Sequence, residues 1–281
     1  MVDILGPVNS LSYGNVTKEI VSGLVDLGEK VKLIPINGRI DCEINENLTK
    51  ALNEKQSDTC IKIWHANDMS MPDYKTKIGW PIFELDTFTE QEKQQLKTLD
   101  KIIVCSQWAK QVVIDNGINV ETEVVNLGVD DTVFFPSNNN VGEKVVFLNV
   151  GKWEVRKGHN ELLWAFQDAF KDVGDVELWM ACSNPFVDNS QWHNKYKRAL
   201  GNKVKFVPYL YTQQELAKTI NLCSIGVYPS HAEGFGLPIL ETLACGKPVI
   251  TTNCTAQTEY CNHENCYLVE STGKVKAQDR E

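Results

Sequence analysis

The sequence predicts an α/β chain with two doubly wound parallel sheets, on three observations. Short apolar, β-branched runs alternate with amphipathic stretches of helical length from one end to the other, the pattern of parallel βαβ units. The alternation breaks once, at PSNNNVGE (136–143), and then restarts. The chain has 281 residues, which exceeds one ordinary α/β domain and suits two of about 140 residues each.

The first half opens with VDIL (2–5) as a buried strand, followed through GPVNSLSYGN by a helical pattern from about Val16 to Leu27, closed by Gly28. VKLIPI (31–36) and IKIWHA (61–66) are the next strands, and IGWPIFEL (78–85) is a further extended segment. A helix is expected over 90–99, capped by Thr87 or Thr89. KIIVCS (101–106), a helix from Trp108 to about Asn116, and TEVVNLG (122–128) complete this half. The predicted domains are therefore 1–137 and 144–281, joined by a linker at 138–143. In the second half KVVFLNV (144–150), VELWMA (176–181), VKFVPY (204–209), SIGVYP (224–229) and KPVITT (247–252) read as strands. Helices are expected around 161–170, 191–200, 213–221 and 238–245. Each domain is then Rossmann-like, with ligands expected beyond the carboxyl ends of the strands, in the cleft between the domains.

Composition narrows the function. The net charge of −9 argues against a nucleic-acid partner, because duplex binders carry a basic face. Residues 1–137 hold 13 Lys and Arg against 21 Asp and Glu, whereas 138–281 hold 15 against 16. A phosphate-bearing ligand is thus expected on the second half. The nine cysteines are scattered, several inside apolar patterns (Cys105, Cys182, Cys223, Cys245), which suits buried thiols in a reducing, cytoplasmic setting. Cys254, Cys261 and Cys266 lie near His263 without CxxC spacing, so no metal site is expected. No apolar run approaches the ~20 residues of a membrane span, and MVDILGPVNS lacks the character of a signal peptide.

Two segments carry chemistry. EGFGLPILE (233–241) follows the strand IGVYPS and restarts at Pro238, the signature of a strand–loop–helix junction. Gly234 and Gly236 permit backbone conformations closed to other residues, and the loop amides with the helix start form a site for anions. Glu241 is placed in the first helical turn, where a carboxylate suits the dipole; alone it reads as a helix-start acid. After VVFLNV comes GKWEVRKGH (151–159), where Lys152 and Lys157 flank a tight turn with Arg156 beside the second. Cations plus helix-end amides are what a diphosphate requires, although the loop alone also reads as a solvated basic turn. GxGxxG and GxxxxGK[ST] are both absent, so neither a dinucleotide fingerprint nor a Walker loop accounts for it.

Taken together these segments resemble the retaining GT-B glycosyltransferases of the family-4 type (glycosyl transferases group 1). E233-GFGLPIL-E241 is similar to that family's E-x7-E motif, and LACGKPVITT (243–252) and YLYTQQELAKTINLCSIGVYPS (209–230) are similar to its flanking runs. GKWEVRKG (151–158) resembles its diphosphate loop, with Lys152 in place of the usual arginine. SQWAKQVVIDNGI and VVNLGVDDTVFFPS (106–137) resemble the end of its first domain. The resemblance implies a donor, a UDP- or GDP-sugar first of all, bound mainly on the second domain, and an acceptor on the first. Lys152 and Lys157 would neutralise the diphosphate, Glu241 would accept from the ribose hydroxyls, and Glu233 would contact the donor sugar. The backbone of Phe235, Gly236 and Leu237 would meet the sugar and distal phosphate. The implied reaction is metal-independent hexosyl transfer with retention of configuration, needing no cofactor.

On the first domain the resemblance implies a role near the sugar for His65, which follows a predicted strand in IWHAND. A lone histidine is otherwise more often structural. Ser12, Tyr13 and Gly14 are loop candidates where many members have a glycine pair, Gly14 for donor binding, and Glu84 either faces the acceptor or lines a polar edge. Members usually continue with helices that close the second domain, so after YLVESTGKVKAQDRE a fragment or a reduced terminus is expected. The alternative function is a GT-B-like module that holds a nucleotide sugar without transferring it. The acidic first half, Lys75 and Lys77 notwithstanding, leads us to expect a glycan or other soluble acceptor and weak or absent membrane binding.

Overall fold

The computed structural model describes residues 1–137 and 142–277. The chain divides into two compact units, Met1–Leu127 and Gly128–Glu281. The boundary falls ten residues before the expected end of the first domain. The reason is packing: Phe134 is buried, and with Val129 and Val133 it joins the core around Val146, Leu148 and Ile220 of the second unit. Most of the expected linker, 138–141, lies outside the described residues.

In the first unit, strands β1 (Val2–Asn9), β2 (Val31–Asp41), β3 (Thr59–Trp64), β4 (Thr76–Pro81), β5 (Lys101–Val104) and β6 (Thr122–Val124) form one sheet in the order β2-β1-β3-β4-β5-β6. All its pairings are parallel. Helix α1 (Ser12–Asp26) starts four residues before the expected Val16, and α2 (Glu46–Asn53) was not expected at all. α3 (Glu90–Lys97) is closed by a capping box, in which the Thr89 hydroxyl accepts from the Glu92 amide and the Glu92 carboxylate accepts from the Thr89 amide. Ser106 caps α4 (Gln107–Asp115) in the same manner, accepting from the Ala109 amide at 3.0 Å. The segment read as extended over 78–85 is a strand only to Pro81.

The second unit repeats the plan. Its strands are β7 (Val145–Gly151), β8 (Val176–Cys182), β9 (Val204–Phe206), β10 (Ile225–Tyr228), β11 (Val249–Asn253) and β12 (Cys266–Glu270), in the order β12-β11-β10-β7-β8-β9, all parallel. The helices are α5 (His159–Phe170), α6 (Ser190–Leu200), α7 (Gln213–Leu222) and α8 (Leu237–Ala244). The two-residue period of β7 explains the layering: Val146 and Leu148 pack with Ile220 and Cys223 on one face, and Phe147 packs with Phe166 and Leu178 on the other. Cys105, Cys182, Cys223 and Cys245 are free buried thiols, as the sequence pattern predicts.

The strand order fixes where a site can form. In each sheet the direction of winding reverses beside the first strand, between β1 and β3 in one unit and between β7 and β10 in the other. Loops leaving the two strands diverge there and leave a crevice at their carboxyl ends.

Candidate functional site

At the switch point of the second unit, β7 runs into the basic loop and β10 into the glycine loop. The first passes through a short 3-10 turn (Val155–Lys157) into α5 by way of Gly158. Gly158 has φ of 67°, and a Cβ there would lie 2.0 Å from the Pro229 carbonyl oxygen, so only glycine lets the loop lie against the end of β10. The register is tightened by the His231 amide, which donates to the Arg156 carbonyl at 2.8 Å.

This juxtaposition brings Lys157 to Glu233. The Lys157 ammonium donates to both carboxylate oxygens, at 2.7 and 3.0 Å. Arg156 Nη1 lies 3.3 Å from Glu233 Oε2 and donates to the Ala232 carbonyl at 2.6 Å, and its Nη2 reaches Glu154 at 2.9 Å. Ser230 Oγ donates to Glu233 Oε1 at 2.6 Å, and Thr255 Oγ1 accepts from the Glu233 amide at 2.9 Å. Glu233 is 6% exposed. Burial alone would raise its pKa, but the charges of Lys157 and Arg156, with the hydrogen bonds from Lys157 and Ser230, hold it at about 2. The carboxylate is therefore ionised throughout the working pH range.

Lys152 sits apart from this pair. Its ammonium is 3.4 Å from Glu154 and 5.4 Å from the centre of the exposed Phe186 ring. Its carbonyl is held by the buried His159 side chain, whose Nε2 donates at 2.7 Å. Burial lowers the His159 pKa to about 4, so the ring is neutral and its proton stays on the nitrogen facing that carbonyl. Asn184 Nδ2 donates to the next carbonyl, of Trp153, at 3.1 Å. The loop backbone is thus pinned from two sides.

The glycine loop is held from behind. Tyr260 Oη donates to the carbonyls of Phe235 and Gly236 at 2.8 and 2.7 Å, and the Phe235 and Tyr260 rings pack at 5.2 Å between centres. Gly236 caps α8 with φ of 88°, and a Cβ there would approach Tyr260 Oη to 2.7 Å. Among the described residues no acceptor meets the backbone amides of 234–237. With Phe235 and Gly236 carbonyls turned onto Tyr260, the turn and the start of α8 present open N–H groups suited to an anion.

α8 begins at Leu237, with Pro238 in its second position, so Glu241 is the fifth helical residue and not a first-turn acid. The dipole reading of Glu241 therefore fails; the N-terminal field fades within one turn. Glu241 is half-buried, and among the described residues no side chain donates to its carboxylate. Desolvation pushes its pKa up to about 7. A half-buried carboxyl group left without a protein donor can accept from hydroxyls brought by a ligand.

The switch point of the first unit is built differently. Gly14 lies in the first turn of α1, and a Cβ there would approach Asn9 atoms to 2.3–2.7 Å, so its glycine seats the helix on the end of β1. His65 follows β3, is exposed, and lies 3.3 Å through Nδ1 from Tyr13 Oη. Its ring packs 4.7 Å from Tyr13 and 4.9 Å from Trp64, centre to centre. Tyr13 Oη also donates to the Ile82 carbonyl. Sequence reasoning missed Ser230, Thr255 and Tyr260, and gave Arg156 no partner; only the WEVRKG run, with its third cation, hinted at an acidic neighbour for Arg156.

Two six-stranded parallel-sheet α/β units of this kind define the GT-B class of glycosyltransferase folds. Sucrose-phosphate synthase from Thermosynechococcus elongatus matches 97% of the chain over 86% of its own, with a TM-score of 0.74 at 17% identity. Anabaena HepE, solved with UDP-glucose, matches 96% over 85%, with a TM-score of 0.70 at 17% identity. The family model "Glycosyl transferases group 1" matches residues 130–280, and the chain belongs to that family. An uncharacterized glycosyltransferase from Methanocaldococcus jannaschii is 33% identical over 199 residues, 69% of this chain and 52% of the relative. The O-antigen chain mannosyltransferase B of Escherichia coli is 49% identical over 113 residues, 40% of this chain and 29% of the relative. The chain thus spans about half, or less, of the length of these curated relatives.

Proposed function

We propose that the chain transfers a sugar from a nucleotide-sugar donor to an acceptor hydroxyl, with retention of anomeric configuration and without a metal. The observation that carries this is the meeting of Lys157, Glu233 and the open amides of 234–237 at the switch point of the second unit. A leaving nucleoside diphosphate develops negative charge, and preorganised cations and N–H groups stabilise it where it forms. In this reading Lys157 and Lys152 meet the diphosphate, joined by the amides of Phe235, Gly236 and Leu237. Glu241 accepts from the ribose hydroxyls, and ionised Glu233 lies beside the donor sugar, where positive charge develops at the anomeric carbon. Gly14 shapes the loop after β1, and His65 serves the sugar from the first unit.

GDP-mannose and UDP-glucose are the donors to test first. A Mycobacterium tuberculosis relative, 25% identical over 166 residues, is described as a GDP-mannose-dependent mannosyltransferase, and HepE binds UDP-glucose. The acceptor in this reading is a glycan or another soluble hydroxyl compound. No described helix is long and apolar enough to cross a membrane. The test is a panel of nucleotide sugars assayed for donor hydrolysis and for transfer to an oligosaccharide library, with the product's anomeric configuration read by proton NMR. Transfer with retention supports the proposal. Tight donor binding without turnover on any acceptor would make the chain a binding module, and an inverted product would overturn retention.

A further inference from the structure

Lys157 is asked to meet a diphosphate, yet its ammonium is engaged with both oxygens of Glu233. Moving it to a phosphate would leave a buried carboxylate facing a new anion, which is costly unless another cation stays behind. Arg156 is built to stay. Its guanidinium is held by the Ala232 carbonyl at 2.6 Å and Glu154 at 2.9 Å, while it lies 3.3 Å from Glu233. Among the described residues Lys157, on a flexible stem, is anchored by Glu233, whereas the planar fork of Arg156 spans Ala232, Glu154 and Glu233.

We propose that donor binding works by ion-pair exchange: Lys157 passes from Glu233 to the diphosphate, and Arg156 is the positioning residue that keeps Glu233 charged and aimed once Lys157 has left. This rests on the assignment of Lys157 to the diphosphate. The surroundings of Glu233 support it. Among the described residues, apart from Lys157 and Arg156, the groups that face it are the Ser230 hydroxyl, the Thr255 hydroxyl at its amide, the Tyr260 phenol and the neutral His159 ring, with Glu154 behind Arg156. None of the groups other than the two cations brings positive charge. Ser230 can hold the carboxylate in place but cannot neutralise it.

The exchange has a sign that a loss of structure would not mimic. Without Arg156, the donor withdraws the last cation from Glu233, so its pKa rises in the complex and binding takes up a proton. Relative to the wild type at the same pH, affinity for the donor then improves as pH falls, while turnover worsens because Glu233 becomes neutral. The experiment is calorimetric titration of GDP-mannose and UDP-glucose, whose diphosphate esters do not titrate between about pH 5 and 8. It is run on the wild type, Arg156→Met and Arg156→Lys in buffers of different ionisation enthalpy.

The wild type is expected to take up no proton and to show only the release from Glu241 as it ionises to accept from the ribose, which all three proteins share. Measured against the wild type at the same pH, Arg156→Met should bind about tenfold more weakly at pH 8, close that gap by pH 5.5, and take up close to one more proton at the lower pH. Arg156→Lys, which keeps the charge and guards against a folding defect, should lose most of that pH dependence. An equal weakening of Arg156→Met at every pH, or proton uptake by the wild type, overturns the exchange and leaves the donor site standing. Failure of the wild type to bind either donor overturns both.

Discussion

The two units carry the same kind of crevice and fill it with opposite chemistry. At the β7–β10 junction Arg156 and Lys157 meet the buried Glu233, with Glu154 behind Arg156 and Lys152 beside Glu154. At the β1–β3 junction the aromatic side chains Tyr13, Trp64 and His65 cluster, with Trp64 and His65 edge to face and Tyr13 tilted against both. Winding order decides where a ligand can sit, but the side chains at the strand ends decide which ligand. A charged crevice with open amides suits the departing phosphate, and an aromatic one with a hydroxyl and an imidazole suits a sugar ring.

The largest expected effect breaks the charged crevice. Lys157→Ala should lower kcat/KM by about a hundredfold, some 3 kcal/mol, and weaken donor binding as well, since its charge serves both bound and leaving diphosphate. Steady-state kinetics with calorimetry checks it, and unchanged values would detach the basic loop from phosphate. Next, Glu233→Gln should reduce turnover about a hundredfold while leaving donor affinity within about threefold, because its charge matters most beside an oxocarbenium-like sugar. An equal loss in affinity would make Glu233 a ground-state contact.

His65→Ala sharpens the other side of the comparison. Transfer to acceptor should fall about tenfold with donor dissociation constants unchanged, as expected for a group in the aromatic crevice. Weaker donor binding in that variant would erase the division between the units.

The smallest expected effect concerns Glu241. Its pKa rises from 4.5 to about 7 on folding, so the folded chain keeps a proton that the unfolded chain has released in that window. Its contribution to stability is therefore greatest below about pH 4.5 and declines as pH rises to about 7. Glu241→Gln removes this slope, so thermal melts should show the variant gaining on the wild type between pH 5 and 7.5. It should also bind donor several-fold more weakly. Parallel melting temperatures across that range would mean that the carboxylate is solvated.

Much of this was legible from residue order. Strand–helix alternation predicts both sheets, and the glycines flanking Phe235 and ending GKWEVRKG mark the two loops that meet. Other parts leave little local signal. β12 buries chiefly Cys266 and lies at the sheet edge, and α2 is a polar eight-residue helix burying only Leu48 and Ala51. The pairing of Arg156 with Glu233 spans 77 positions, and Tyr260 reaches back 25 to hold Phe235. Periodicity reports which face of an element is buried; it does not report which distant element supplies a partner.

The central claim is that the donor diphosphate binds at the β7–β10 junction, and amide hydrogen exchange tests it most directly. On adding GDP-mannose or UDP-glucose, whichever binds, the account predicts slower exchange in peptides covering 151–161 and 233–240, an effect larger than any change at 9–15 and 64–68. Protection that appears first at 9–15 and 64–68, with the two charged loops unaffected, would contradict it.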